Sequence, residues 1–192
     1  MTLPTATKNN RLNGQTYDFV SLHDGYPGST GTSELSGGGY AKVAIVVNAA
    51  SGGQRALNAL VNVTVPACTV RYLGFWNGAV FADYAPNGGA TPKNFTASVT
   101  GDTIHSGAHG WSDTQKFVFI KGTAPTGLTA GVVYFVRDAT ADTFKVAATS
   151  GGAAINLTAN PSYGCQMCAI TEDVYASPGA HTVSTGTFIE PD

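Results

Sequence analysis

The run Thr69-Val70-Arg71-Tyr72-Leu73-Gly74-Phe75-Trp76 carries apolar side chains at both parities, and Asn77-Gly78 follows it immediately. Successive side chains of a strand point to opposite faces, so this pattern predicts a central strand covered on both sides. Asn-Gly is the strongest short hairpin signal, with positive φ expected at both turn positions. The chain should therefore reverse there and return through Ala79 to Tyr84, bringing Phe81 near Trp76.

Outward from this hairpin the same texture repeats. Strands are expected over 17–22, 40–48, 59–65, 94–99, 116–121, 132–137, 143–148, 166–172 and 181–189, each short, rich in Val, Thr, Tyr and Phe, and bounded by Gly, Pro, Asn or Asp. The segment 40–48 reads as buried on both faces and central beside 69–76. Gly53 to Asn58 is the one helix candidate, and it is short. The expected fold is all-β, an antiparallel, jelly-roll-like sandwich.

Composition favours assembly over chemistry. Of 192 residues only 11% are charged, against about 25% in an average globular protein. Interspersed charge keeps monomers apart, so a chain this neutral is expected to cover its surface with partners. A formal net charge of −2, with ten scattered Lys and Arg, offers no basic footprint for nucleic acid. No apolar run has the roughly 18 residues of a membrane span, and the polar N-terminus lacks the apolar core of a signal peptide. Neither membrane nor nucleic acid is an expected partner, and synthesis in a cytoplasm is the simplest expectation.

No catalytic constellation is legible. Three Glu and nine Asp fall mostly at turn positions, and the adjacent pair Glu172-Asp173 would point to opposite faces of a strand. Histidines occur at 23, 105, 109 and 181, yet no Gly-x-Ser-x-Gly elbow exposes a nucleophile. Cys165-Gln166-Met167-Cys168 has C-x2-C spacing with Cys68 far away, a set that lacks the second pair of a structural zinc site. Inert thiols, a disulfide and a three-thiolate site completed by His109 or His181 all remain open. No catalytic residue, cofactor or metal is assigned.

Between Leu22-His23 and Tyr40-Ala41-Lys42 runs a loop with glycines at 25, 28, 31, 37, 38 and 39. Such glycines permit positive φ and close packing. A phosphate-binding loop would lead into a helix, whereas this one opens into Val43-Ala44-Ile45-Val46-Val47. Gly28, Gly31 and Gly38 are therefore read as loop-structuring, as is His23, whose ring either locks the loop on a backbone carbonyl or serves a receptor pocket.

The order Leu-His, Pro27-Gly28-Ser29-Thr30-Gly31, acidic Glu34, glycine doublet and Tyr40-Ala41-Lys42 resembles a segment of structural proteins of tailed bacteriophages. A second stretch holds Pro125-Thr126-Gly127-Leu128, Gly131-Val132-Val133-Tyr134-Phe135-Val136 and Ala141-Asp142-Thr143-Phe144. It is similar to a small β-module of phage tail and fibre proteins. The resemblance implies a virion component, tail-associated (minor tail, baseplate or fibre) or a capsid decoration protein, assembling as a homotrimer with other virion proteins. It also implies two bodies: a sandwich built from 1–98 and 173–192, and a β-barrel-like module inserted over 99–172. A displayed module could instead bind a bacterial surface glycan, with Trp111 and His109 at a turn as candidate contacts, though strand aromatics ordinarily fill cores.

Overall fold

The computed structural model describes residues 3–161, 164–184 and 187–189. The architecture is antiparallel β throughout, with one helix among the described residues. Two compact units divide the chain, one of residues 1–89 with 172–192 and the other of 90–171.

The first unit opens with α1 (Thr5–Asn13), where the sequence offers no hydrophobic periodicity. Side chains hold it: Asn9 and Asn13 accept the backbone N–H groups of Gly53 and Ala50, both at 2.8 Å, and Arg55 donates to Leu12 O at 2.9 Å. Its strands are β1 (Phe19–His23), β2 (Val43–Ala44), β3 (Gln54–Ala56), β4 (Val61–Val65), β5 (Cys68–Val70), β6 (Tyr72–Asn77) and β7 (Val80–Pro86). After the second unit come β15 (Asp173–Tyr175), β16 (Gly179–Val183) and β17 (Thr187–Ile189). A four-stranded sheet runs β2-β1-β6-β7, and three ladders pair β15 with β5, β16 with β4 and β17 with β3.

Strand parity explains the core. Val20 pairs with Phe75 and Leu22 with Leu73, and all four pack with Leu57, Val63, Val65, Val70 and Val183 between sheet and ladders. This is a sandwich. The reverse face of β1 and β6 carries Ser21, His23, Tyr72, Gly74 and Trp76, every one of them buried.

Four expectations change in detail. The segment 69–76 is two strands, broken at Arg71: β5 pairs with β15, then the chain crosses to the four-stranded sheet as β6, its central position intact. The segment 40–48 is not central, because its partner changes: Val43 and Ala44 pair with β1 at the sheet edge, whereas Val47 bridges Leu57. Ile45 is buried but Val46 is 68% exposed. The helix candidate at 53–58 is β3 instead; positive φ at Gly52 and Gly53 makes a turn that delivers 54–56 to β17. The hairpin forms one residue late, with Asn77 paired to Val80 and positive φ at Gly78 only, the first position of a two-residue turn that favours glycine there, and Gly78 N–H also donates to Asp18 at 2.9 Å. Trp76 and Phe81 then meet edge to face at 5.1 Å. The expected closing strand over 181–189 is described only as β16 and β17; Thr185 and Gly186 lie outside the described residues.

The second unit comprises β8 (Lys93–Asn94), β9 (Thr96–Ser98), β10 (Thr103–His105), β11 (Lys116–Lys121), β12 (Tyr134–Arg137), β13 (Thr143–Ala147) and β14 (Gln166–Ala169). They form one sheet in the order β8-β14-β11-β12-β13-β10-β9. Residues 93–98, expected to finish the sandwich, pair instead with β14 and β10, so the boundary falls near residue 89. The sheet does not form a closed barrel. Its two edge strands are consecutive in the chain, joined through Phe95 alone, so a covalent link stands where a barrel would have hydrogen bonds. Phe95, Ile104, Phe117, Phe119, Val136, Phe144, Val146 and Met167 fill its core.

Candidate functional site

The polar face of β1 and β6 is the most developed side-chain network of the first unit, and the glycine-rich loop covers it. His23 is fully buried, with Nδ1 2.8 Å from Thr32 O and Nε2 2.7 Å from Ser21 Oγ. A carbonyl can only accept, so Nδ1 carries the proton and Nε2 accepts from the Ser21 hydroxyl. Ser21 Oγ in turn accepts from Trp76 Nε1 at 2.7 Å. The bonds run in one direction, from indole to hydroxyl to imidazole to loop carbonyl, and the one from the Ser21 hydroxyl to Nε2 requires a neutral ring. Burial lowers the His23 pKa, outweighing the Thr32 bond and the nearby carboxylates of Glu34 and Asp24, which favour the charged form.

Glycines make the fit possible. Gly74 lies opposite Ser21, where any β-carbon would collide with Ser21, His23 and Phe81. Gly31 has φ +76°, and a methyl there would sit 2.7 Å from the Phe81 ring and 2.8 Å from the Trp76 ring. Gly38, at φ +58°, rests on Pro66, whereas Gly28, at φ +62°, faces only Thr32 at van der Waals distance. Beyond the turn Tyr40 folds back: its hydroxyl accepts from Leu22 N at 2.9 Å and donates to Glu34 at 3.1 Å. Lys42 Nζ stands 3.0 Å from the Trp76 ring centroid and 3.5 Å from Glu34. Tyr26, from the loop, closes the other side against Tyr72 and Tyr84, with centroids 6.0 and 5.2 Å away.

Ser21 and His23 together have the spacing of a nucleophile and its base. Both are inaccessible to solvent, and the serine oxygen already holds the Trp76 proton donor. As built, the pair is a fastening for the loop. Ser21 carried no sequence signal of its own; the alternation of Val20 and Leu22 in the core, which places Ser21 beside His23 on the far face, was the only available clue.

The second pair of candidates lies in the other unit. His109 is 2% exposed, its Nδ1 accepting Trp111 N–H at 3.0 Å and its Nε2 facing Thr143 O at 3.4 Å. Ala108 and Gly110, at φ +46° and +68°, make the tight turn around it. Trp111 is half-buried and packs on Phe117 and Phe144 at 5.5 and 5.6 Å. The structure thus brings the two residues together, at the margin of the core.

The remaining singled-out groups are dispersed. All three cysteines are free thiols, which removes the disulfide alternative. Cys165 donates to Thr123 O and Cys168 to Ala90 O, and burial pushes the Cys168 thiol up to about 12. Tyr163, before Cys165, lies outside the described residues. His181 is buried beside Tyr175 and Asp173, at 3.1 and 3.7 Å. Among the described residues no three His, Cys, Asp or Glu side chains converge as metal ligands. Among the described residues no helix is long and apolar enough to cross a membrane.

Compared with known protein families, curated proteins and solved structures, the chain matches none. The virion expectation therefore stands on the sequence motifs alone.

Proposed function

We propose that this protein is a non-catalytic structural component of a large assembly, of the kind that tailed-phage virions contain, and that it works by burying neutral β surfaces against copies of itself and other particle proteins. The observation that carries this reading is the exterior of the first unit. Val46, Val80 and Val174, on or beside β2, β7 and β15, stand 68, 68 and 74% exposed. Solitary proteins blunt edge strands with charge, above all lysine. A surface with ten basic and twelve acidic side chains in 192 residues has few to spare for that task.

The glycine-rich loop supports the same reading. Its side chains are spent on fastening the loop to the sheet, which suits a rigid shape more than a reacting centre. Within the assembly reading, a homotrimer and a tail-associated position follow from the phage resemblance, with capsid decoration as the alternative placement. Display of a glycan-binding face is a second function, favoured only by the exposed margin of Trp111.

Light scattering on the purified chain tests the proposal. Three times the 19.7 kDa chain mass is the expected result, and a stable monomer at high concentration would overturn it. Binding to glycans or host cell wall, by contrast, would favour the display reading.

A further inference from the structure

We propose that His23 is an acid-released latch for the glycine-rich loop, so that the cover over Ser21 and Trp76 opens on protonation while the sheet beneath stays folded. The inference is independent of the assembly reading above.

The directed bonds carry it. With Nδ1–H committed to Thr32 O, a second proton can go only to Nε2, the atom that accepts the Ser21 hydroxyl. Ser21 Oγ would then face two donors, Trp76 Nε1 and His23 Nε2, and its own hydroxyl proton would lose its acceptor inside a site closed to water. A buried donor without a partner is costly, and loop opening removes that cost by hydrating the ring. Opening would break Leu35 N–H on Leu22 O at 2.9 Å and Asp24 N–H on Ser33 O at 3.2 Å, and would have to overcome the Tyr26 contacts with Tyr72 and Tyr84 and the Arg71 bond to Asp24 O.

The charges around the ring act in both directions. Asp24 and Glu34 from the loop favour the imidazolium, and Lys42 opposes it. Arg71, which donates to Asp24 O and is paired to Glu172, adds a further positive group on the β6 side. Burial is the largest influence and opposes protonation. The closed state therefore binds fewer protons than the open one, so closure is complete above about pH 6.5 and is lost as the pH falls below it.

Hydrogen exchange from about pH 8 down to about pH 4.5, above the main carboxylate titration, tests this. After correction for intrinsic rates, protection of the Leu35 and Asp24 amides should fall by up to about tenfold per pH unit, the limit for one proton. The Ser21 and Gly74 amides, which face each other in the central ladder, should hold, and His23→Gln should abolish the slope. An unchanged slope in that variant, no slope in the native protein, or central-ladder loss in step with the loop would each overturn the latch. Should His23→Gln fail to fold, nitrogen NMR of the native ring decides. An Nδ1-protonated neutral tautomer at pH 7, converting to the charged ring as loop protection falls, supports the proposal; an Nε2-protonated or charged ring at pH 7 refutes it.

Discussion

Gly31 has no room for a methyl group. A β-carbon would press on Phe81 and Trp76, and φ of +76° would strain any L side chain that replaced the glycine. Gly31→Ala should cost about 1–3 kcal/mol, the range for overpacking a filled core, read from the urea midpoint at constant m-value. Gly37, whose φ is +79° with open space around it, provides the comparison. Alanine there suffers the backbone strain alone, and the difference between the two variants isolates the packing contribution. Ile45 belongs to the same scale: it is buried in the sandwich core although its neighbours Ala44 and Val46 face outward. Ile45→Asp should remove about 2–3 kcal/mol of apolar burial and leave an unpaired buried charge, giving insoluble protein. Soluble, cooperatively melting Ile45→Asp protein would contradict the packing described for that residue.

At the scale of elements, legibility followed the reach of the interaction that fixes each one. Strands β1, β6, β11 and β13 were readable because their own alternation or apolar density demands burial, whatever the partner. Elements fixed by distant groups were not. The helix α1 has little apolar periodicity and depends on bonds to Ala50, Gly53 and Arg55, some forty residues away in sequence. Likewise 54–56 becomes a strand because β17 arrives from the far end of the chain. The segment 40–48 misled for a related reason: a continuous apolar run cannot report that its partner changes halfway along. For the candidate site, the glycines and His23 were visible as a loop motif, whereas Ser21, Tyr40 and the Lys42 contact with Trp76 emerge only when two strands and the loop are stacked.

At the scale of the whole molecule, the two places where the first unit is interrupted lie side by side. Asn87 N–H donates to Arg71 O at 2.8 Å, and Asp173 pairs with the preceding residue, Val70. The Asn87 amide also donates to Asp173 at 2.8 Å, and Arg71 is paired with Glu172. A short glycine-serine bridge should therefore span from Gly89 to Glu172 at little cost in loop closure. Residues 1–89 so joined to 172–192 should give a β-type circular dichroism spectrum and a cooperative melt. An aggregated or unfolded product would show that this unit needs the other to fold.

The same juxtaposition decides how the first unit would bear a load. Tension drawn through residue 172 would reach the ladder of β5 and β15 at one end, at Val70 and Asp173, and would open it like a zip, while the pull through residue 89 enters β7 at Pro86, opposite Tyr72. Hydrogen bonds broken in turn, each worth about 1 kcal/mol, resist far less than bonds sheared together. Under stretching this seam should yield first, with the Arg71 and Glu172 pair as its opening tooth.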